Sequence, residues 1–313
     1  VNIPNPDFKQ ALIDRGVDIN NDGEIQEAEA LNVKELDFSN IDSLESMVGI
    51  NAFDSLEVLW CPGRLVKLSI SNLKNLQYLW LPDTISGNLE VNNLPKLLGF
   101  NFAGWRYDIR VDSIVSLRNL PKLSVIPNFI TSKEIRLRNV NSNIERESYV
   151  FTSRNPNLQY FEWSGTIPNG IDIVFYDCPK LQIIDLSQAE FFQPTINASV
   201  VPNLELVNIK NGIHNHVIGG DFKDVCFIVD SSEVSILENW FERIKGPCHS
   251  EVVSTNVNDC RKVNRIGGHV MYDALRNDCS TGALPVKNTG IMVLDSTSTS
   301  DGIFYTNNNG FFC

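Results

Sequence analysis

Leu76-Gln77-Tyr78-Leu79-Trp80-Leu81 has apolar residues at its first, fourth and sixth positions, and the same spacing returns along the chain. Earlier it reads Leu56-Glu57-Val58-Leu59-Trp60-Cys61, and next Leu97-Leu98-Gly99-Phe100-Asn101-Phe102. Later copies are Leu158-Gln159-Tyr160-Phe161-Glu162-Trp163, Leu181-Gln182-Ile183-Ile184-Asp185-Leu186 and Leu204-Glu205-Leu206-Val207-Asn208-Ile209. A phrase close to Asn-Leu-Pro-Lys-Leu introduces several copies, at Asn93 to Leu97, Asn119 to Leu123 and Asp177 to Leu181. Successive side chains of a strand point to opposite faces, so the apolar anchors face one way and positions three and five the other. One such coil cannot bury its apolar edge alone, so the copies must stack on one another.

The period lies in the range of roughly 20 to 29 residues that marks leucine-rich repeats. The expectation is therefore a β-rich leucine-rich-repeat solenoid over residues 33–229 with a parallel sheet on its concave face. Return segments at Leu65 to Ile70, Asn88 to Val91 and Ile171 to Phe175 alternate and are rich in branched residues, so they are expected to be extended rather than helical. Residues 126–157, including Lys133 to Arg138, break the spacing and are expected to form a longer, irregular coil.

A stack of coils exposes its apolar interior at each end and needs caps. Over residues 1–32, Asn5-Pro6-Asp7 starts a helix, Phe8, Ala11 and Leu12 share one of its faces, and Gly16 stops it. The loop that follows, Asp18 to Glu29, meets every position of the EF-hand pattern. In that pattern Asp18, Asn20 and Asp22 offer side-chain oxygens, Glu24 its carbonyl, Gln26 a water-bridged contact and Glu29 a bidentate carboxylate. Calcium is thus the expected cofactor, in a structural role.

Over residues 230–262, Asp230 to Glu233 resembles a capping box before a stripe of Val234, Leu237, Trp240, Phe241 and Ile244, ended by Gly246-Pro247. Residues 263–313 turn to short alternating strands with a hairpin signal at Asn309-Gly310, read as a partial β-sandwich.

The formal net charge of -12 disfavours nucleic acid and anionic lipid as partners. No apolar run is long enough to span a membrane. Val1 is expected to be a mature amino terminus, with more chain following Cys313. Of seven cysteines, Cys226, Cys248, Cys260, Cys279 and Cys313 crowd the last third, which favours disulfides and an oxidising compartment. Cys226 and Cys260 bracket the cap helix, and Cys248 is an equally allowed partner for either. Cys61 and Cys178 fall at anchor positions and are expected to be buried thiols.

The opening Val1-Asn2-Ile3-Pro4 with Phe8-Lys9-Gln10-Ala11-Leu12, the acidic loop and the repeats together resemble surface or secreted leucine-rich-repeat proteins of the Bacteroidetes, related to internalin-like and BspA-like proteins. The carboxy-terminal segment is similar to the start of collagen-adhesin B-type sandwiches. The resemblance implies export to the bacterial outer surface, by the type IX route. It also implies O-glycosylation at Asp-(Ser/Thr)-(aliphatic or Thr) sites, here Ser43, Thr84 and Ser113, then Ser55 and Ser296.

Positions three and five of the copies give the expected ligand face, with Trp60, Tyr78, Trp80, Asn101, Tyr160, Glu162, Asp185 and Asn208 as its recognition residues. Exposed aromatics beside amides and carboxylates suit a protein or carbohydrate partner. His214 and His216 lack a third ligand nearby in sequence, and His249 beside Cys248 fits a bridged cysteine better than a nucleophile. The chain is thus expected to be an adhesion or recognition module rather than an enzyme. The competing readings are a passive surface spacer and the accessory region of a larger secreted enzyme.

Overall fold

The computed structural model describes residues 1–100, 108–123, 126–140, 150–151, 154–167, 172–191, 195–213, 217–220, 222, 225–244, 252–256 and 260, then the strands 268–269, 271–272, 284–285, 290–294, 300–305 and 311–312. The chain divides into two units, Val1–Asn239 with Glu251–Thr255, and Trp240–Ser250 with Asn256–Cys313.

The first unit is a parallel β-solenoid of about seven turns. Its strands stack into walls in which each residue pairs with its counterpart one coil away. Wall A holds Glu35–Asp37, Val58–Trp60, Tyr78–Trp80 and Gly99–Phe100. Wall B holds Ser43–Leu44, Arg64–Leu65, Thr84–Ile85, Asp108–Val111 and Asn128–Ile130. Wall C is the longest, with ten strands: Leu68–Ser71, Leu89–Asn92, Ile114–Leu120, Glu134–Val140, Tyr160–Ile167, Ile183–Asp185, Leu206–Asn208, Cys226–Ile228 and Val252–Ser254, with Ala189–Phe191 paired to the end of Tyr160–Ile167. Wall D comprises Val150–Phe151, Asp172–Tyr176, Thr195–Ser199 and Val217–Gly220.

The repeated anchors fill the interior as the spacing demands. Leu56, Leu59, Leu76 and Leu79 are fully buried, and so are Leu158, Phe161, Trp163, Leu181, Ile184 and Leu186. Burying each such side chain contributes about 1.5–3 kcal/mol. The return segments are strands, as expected, and Asp172–Tyr176 takes up most of the third of them.

Two expectations need correction. The hexapeptide copies do not share one concave sheet: those at 56–61, 76–81 and 97–102 supply wall A, whereas those at 158–163, 181–186 and 204–209 supply wall C. Near the amino end, wall C is built instead from return segments, Leu68–Ser71 and Leu89–Asn92. Nor is Glu134–Val140 irregular, since it pairs residue for residue with Ile114–Leu120 on one side and Tyr160–Ile167 on the other. Between those regions the described chain passes straight from wall B to wall C and then opens wall D at Val150–Phe151. The same sequence role thereby moves one wall around the coil.

A corner explains how the chain turns so tightly. Asn72 and Asn93 follow wall C strands, Asn119 and Asn139 are the next-to-last residues of theirs, and the four adopt φ of 62°, 55°, 53° and 51°. Asparagine tolerates this left-handed region because its short side chain bonds locally. Here the amides also bond to each other: Asn93 Nδ2 donates to Asn72 Oδ1 at 3.1 Å, Asn119 to Asn93 at 2.6 Å and Asn139 to Asn119 at 3.1 Å. The ladder links residues 21, 26 and 20 apart, so coils of unequal length still turn at one line. Gly165 (φ 87°) ends it, for a Cβ there would lie 2.9 Å from Asn139 Oδ1 and 3.1 Å from Asn139 Cα.

The first helix forms as the sequence indicates. The helix Pro6–Ile13 begins at Asn5, whose Oδ1 accepts the Phe8 N–H at 2.8 Å, and Gly16 leaves it with φ 73°. Phe8, Ala11 and Leu12 are buried, and Phe8 meets Phe38 edge to face at 5.6 Å. The second helix is a single turn, Glu27–Ala30. The first strand of wall C would present open amides, and one of them is covered: Asn51, in the 3-10 turn Ile50–Ala52, accepts the Ser71 N–H at 2.8 Å.

Val234–Ile244 is helical, with Leu237 and Phe241 buried. The Asp230 carboxylate accepts the Gly212 N–H at 2.7 Å. In the second unit, antiparallel ladders join Gly268–His269 to Phe311–Phe312, Met271–Tyr272 to Leu284–Pro285 and Gly290–Leu294 to Ser300–Tyr305. Asn309-Gly310 lies outside the described residues.

Candidate functional site

The wall assignment splits the expected ligand face in two. On wall A, Trp60 and Trp80 stand opposite each other in register, both half-buried, with ring centroids 6.3 Å apart and planes 17° apart. The backbone beneath them is fixed by Leu59 and Leu79, which are fully buried. Stacking occupies the facing surfaces of both rings. The remaining face of Trp60 turns to the strand Glu35–Asp37, where its register partner is Asp37. Tyr78, also half-buried, lies in register with Val58 and Gly99. Asn101 lies outside the described residues.

Glu35 and Asp37 were not among the expected site residues. They belong to a copy that reads Val33-Lys34-Glu35-Leu36-Asp37-Phe38, where valine replaces the first leucine. Both are exposed. An Asp37 oxygen accepts the Ser39 N–H at 2.8 Å, and hydrogen bonding from Ser39 holds the Asp37 carboxyl below the usual range, with Arg15 adding to it.

The other expected residues stand on wall C. Arg136, Glu162, Asp185 and Asn208 form one column, and Tyr160 pairs with Glu134 and Ile183. Arg138 grips Glu162 through two bonds, Nε to Oε1 at 2.6 Å and Nη2 to Oε2 at 2.8 Å. That bond to Glu162 pushes the Arg138 pKa up. Arg136 bonds Glu134 at 2.6 Å and lies 5.4 Å from the Tyr160 ring centroid. The Tyr160 hydroxyl lies 3.4 Å from Glu162 Oε2, and burial first, then the Glu162 charge, pushes its pKa up to about 12. The alternation Glu134-x-Arg136-x-Arg138 was the signal for these partners. On wall C, Glu134 and Glu162 are thus paired with Arg136 and Arg138, whereas on wall A the exposed Glu35 makes no ion pair among the described residues.

In the loop from Asp18 to Glu29, the two end carboxylates are buried at 7% exposure each. Asp18 accepts the N–H groups of Asp22 and Gly23, at 3.2 and 2.8 Å. Glu29 accepts those of Ile19, Asn20 and Gln26, at 2.8, 3.3 and 2.9 Å. Asp22 is tied to Asn20 and Gln26 through their amide groups, and its pKa is held down chiefly by the Glu24 N–H. Glu24 pairs with Lys9 at 2.8 Å. Gly23 at φ 82° and Asn21 at φ 59° make the sharp turn. The donors are hard oxygens of the kind calcium takes; Asp18 Oδ1 and Oδ2, Asp22 Oδ1 and Glu29 Oε2 each accept one bond, whereas Asp22 Oδ2 and Glu29 Oε1 each accept two. Among the described residues, no three His, Cys, Asp or Glu side chains converge closely enough to hold an ion.

Cys226 and Cys260 are joined in a disulfide. Cys61 and Cys178 are buried free thiols, and burial pushes the Cys61 pKa far up. Cys248, Cys279 and Cys313 lie outside the described residues, as do His214, His216, His249 and Ser296. Ser43 is exposed and Thr84 half-buried, two strands apart on wall B with Arg64 between them. Ser113 is half-buried in the turn before Ile114–Leu120, and Ser55 is half-buried beside the fully buried Leu56.

No protein-family model matches the chain, and no curated protein and no solved structure matches it either.

Proposed function

We propose that this chain is an extracellular leucine-rich-repeat recognition module that binds a protein or glycan partner on wall A. The observation that carries the reading is the pair Trp60 and Trp80, large rings left half-exposed in register on a rigid wall. Half-exposed tryptophans on a fixed backbone supply contact area at small entropic cost, which is why they dominate binding surfaces. The disulfide Cys226–Cys260 supports an oxidising compartment.

In this reading calcium is structural. Asp18, Asn20, Asp22, Gln26 and Glu29 would hold it together with the Glu24 carbonyl, and the ion would neutralise carboxylates that otherwise lie close together at the end of the stack.

The competing reading is a passive spacer in which the two tryptophans serve only to pack coils, and their mutual stacking favours it. Trp60→Ala/Trp80→Ala separates the two. Surface or glycan-array attachment lost with thermal stability retained supports recognition, and attachment unchanged removes it.

A further inference from the structure

The binding reading of wall A leaves open which chemistry the wall recognises. Its tryptophans do not form a sugar platform. They stack at 6.3 Å with planes 17° apart, so the surface between them is already filled. The ring of Trp60 is half-exposed, its other face turns toward the first strand, and the residue in register there is Asp37, an exposed carboxylate. Glu35, exposed on the same strand two residues away, is in register with Val58. Glu57, which precedes Val58 in the chain, is already paired with Lys34 at 3.1 Å. Glu35 makes no ion pair among the described residues. Arg15, whose charge helps hold the Asp37 carboxyl down, is itself engaged by the carbonyls of Asp37 and Ala11, by Asn40 and by the Phe38 ring. An aromatic face bordered by carboxylates attracts a cation through the ring quadrupole and the charges together. The chain's net charge of -12 draws the same class of partner from a distance.

The geometry points to a slot between Asp37 and Trp60 that takes a lysine or arginine side chain from an extended basic segment of a partner protein, with Glu35 as the second anionic contact. This inference rests on wall A being the binding face.

The test uses the full chain and four probes: a fluorescein-labelled peptide alternating lysine and serine, its glutamate–serine counterpart, cellohexaose and chitohexaose. Anisotropy and tryptophan emission report binding. The lysine peptide binds and the glutamate peptide does not. Asp37→Asn and Trp60→Leu each weaken it by about two- to five-fold, the range for a cation on an exposed ring or ion pair, while Trp60→Phe restores most of the loss. Circular dichroism of each variant checks the fold. Lysine-peptide affinity that ignores Asp37→Asn overturns the inference. Trp60-dependent binding of a hexasaccharide without the lysine peptide also overturns it while leaving wall A as a binding face. No probe binding together with attachment indifferent to Trp60→Ala/Trp80→Ala overturns both.

Discussion

Replacing Asn93 separates the two jobs that the corner ladder gives one residue. Asn93 sits at φ 55°, donates to Asn72 at 3.1 Å and accepts from Asn119 at 2.6 Å. Asn93→Ala loses both jobs. The left-handed backbone costs a residue with a Cβ about 1 kcal/mol, and two exposed side-chain hydrogen bonds together contribute about 1 kcal/mol net. The sum, about 2 kcal/mol, is roughly a thirty-fold change in an equilibrium constant. Asn93→Gly keeps the backbone free to turn and loses only the bonds, so it costs about 1 kcal/mol, roughly five-fold. A solenoid is not a two-state object, since each coil is stabilised mainly by its neighbours. The appropriate assay is therefore native-state hydrogen exchange. The backbone N–H of residue 93, bonded to the Arg118 carbonyl at 3.0 Å, is the natural reporter, with the Leu97 N–H beside it. Alanine and glycine variants exchanging at the same rate would refute the backbone part of the reasoning. A glycine variant as protected as the parent would refute the ladder part.

A like corner after the wall D strands predicts a stabilising change. Val200 holds φ 59° with a branched side chain that is 51% exposed, one coil from Asp177 at φ 55°, so Val200→Asn removes strain, places an amide next to Asp177 and raises the melting temperature, by about 1 kcal/mol of stability. Calcium added to the chelated protein raises its melting temperature in proportion to the logarithm of free ion, and Glu29→Gln abolishes the rise; a parent protein indifferent to chelator removes calcium from the account. Cys61 and Cys178 resist Ellman's reagent in the folded protein and react once it is unfolded, because both are buried and the raised Cys61 pKa keeps that sulfur protonated. In a spectrophotometric titration Tyr160 ionises near pH 12, above the ordinary phenol value of 10.0, and Glu162→Gln brings it down. The folded state holds that proton more tightly than the unfolded chain does. The associated stability is therefore whole below pH 10 and disappears as pH climbs toward 12.

The sequence by itself determined what is local or periodic in this protein. Asn5-Pro6 and Gly16 bound a helix because one side chain can satisfy an orphan amide and the other can turn left-handed, and neither needs a distant partner. Leu56, Leu59, Leu76 and Leu79 were legible as core because alternation along a strand fixes which side chains share a face. The acidic loop was legible as one closed turn for the same reason, its bonds spanning at most ten residues.

Only the tertiary structure decided which wall each strand joins, and therefore which expected ligand residues meet. Tyr78 and Tyr160 occupy like positions in like hexapeptides, yet one stands on wall A and the other on wall C. The pairing of Arg138 with Glu162, 24 residues on, and the placing of Asp37 against Trp60 are matters of register between coils of unequal length. A hexapeptide repeat specifies inside and outside. It does not specify how far round the coil the next corner falls, because that depends on where the Asn72, Asn93, Asn119 and Asn139 amides stack, a contact made between turns rather than along the chain.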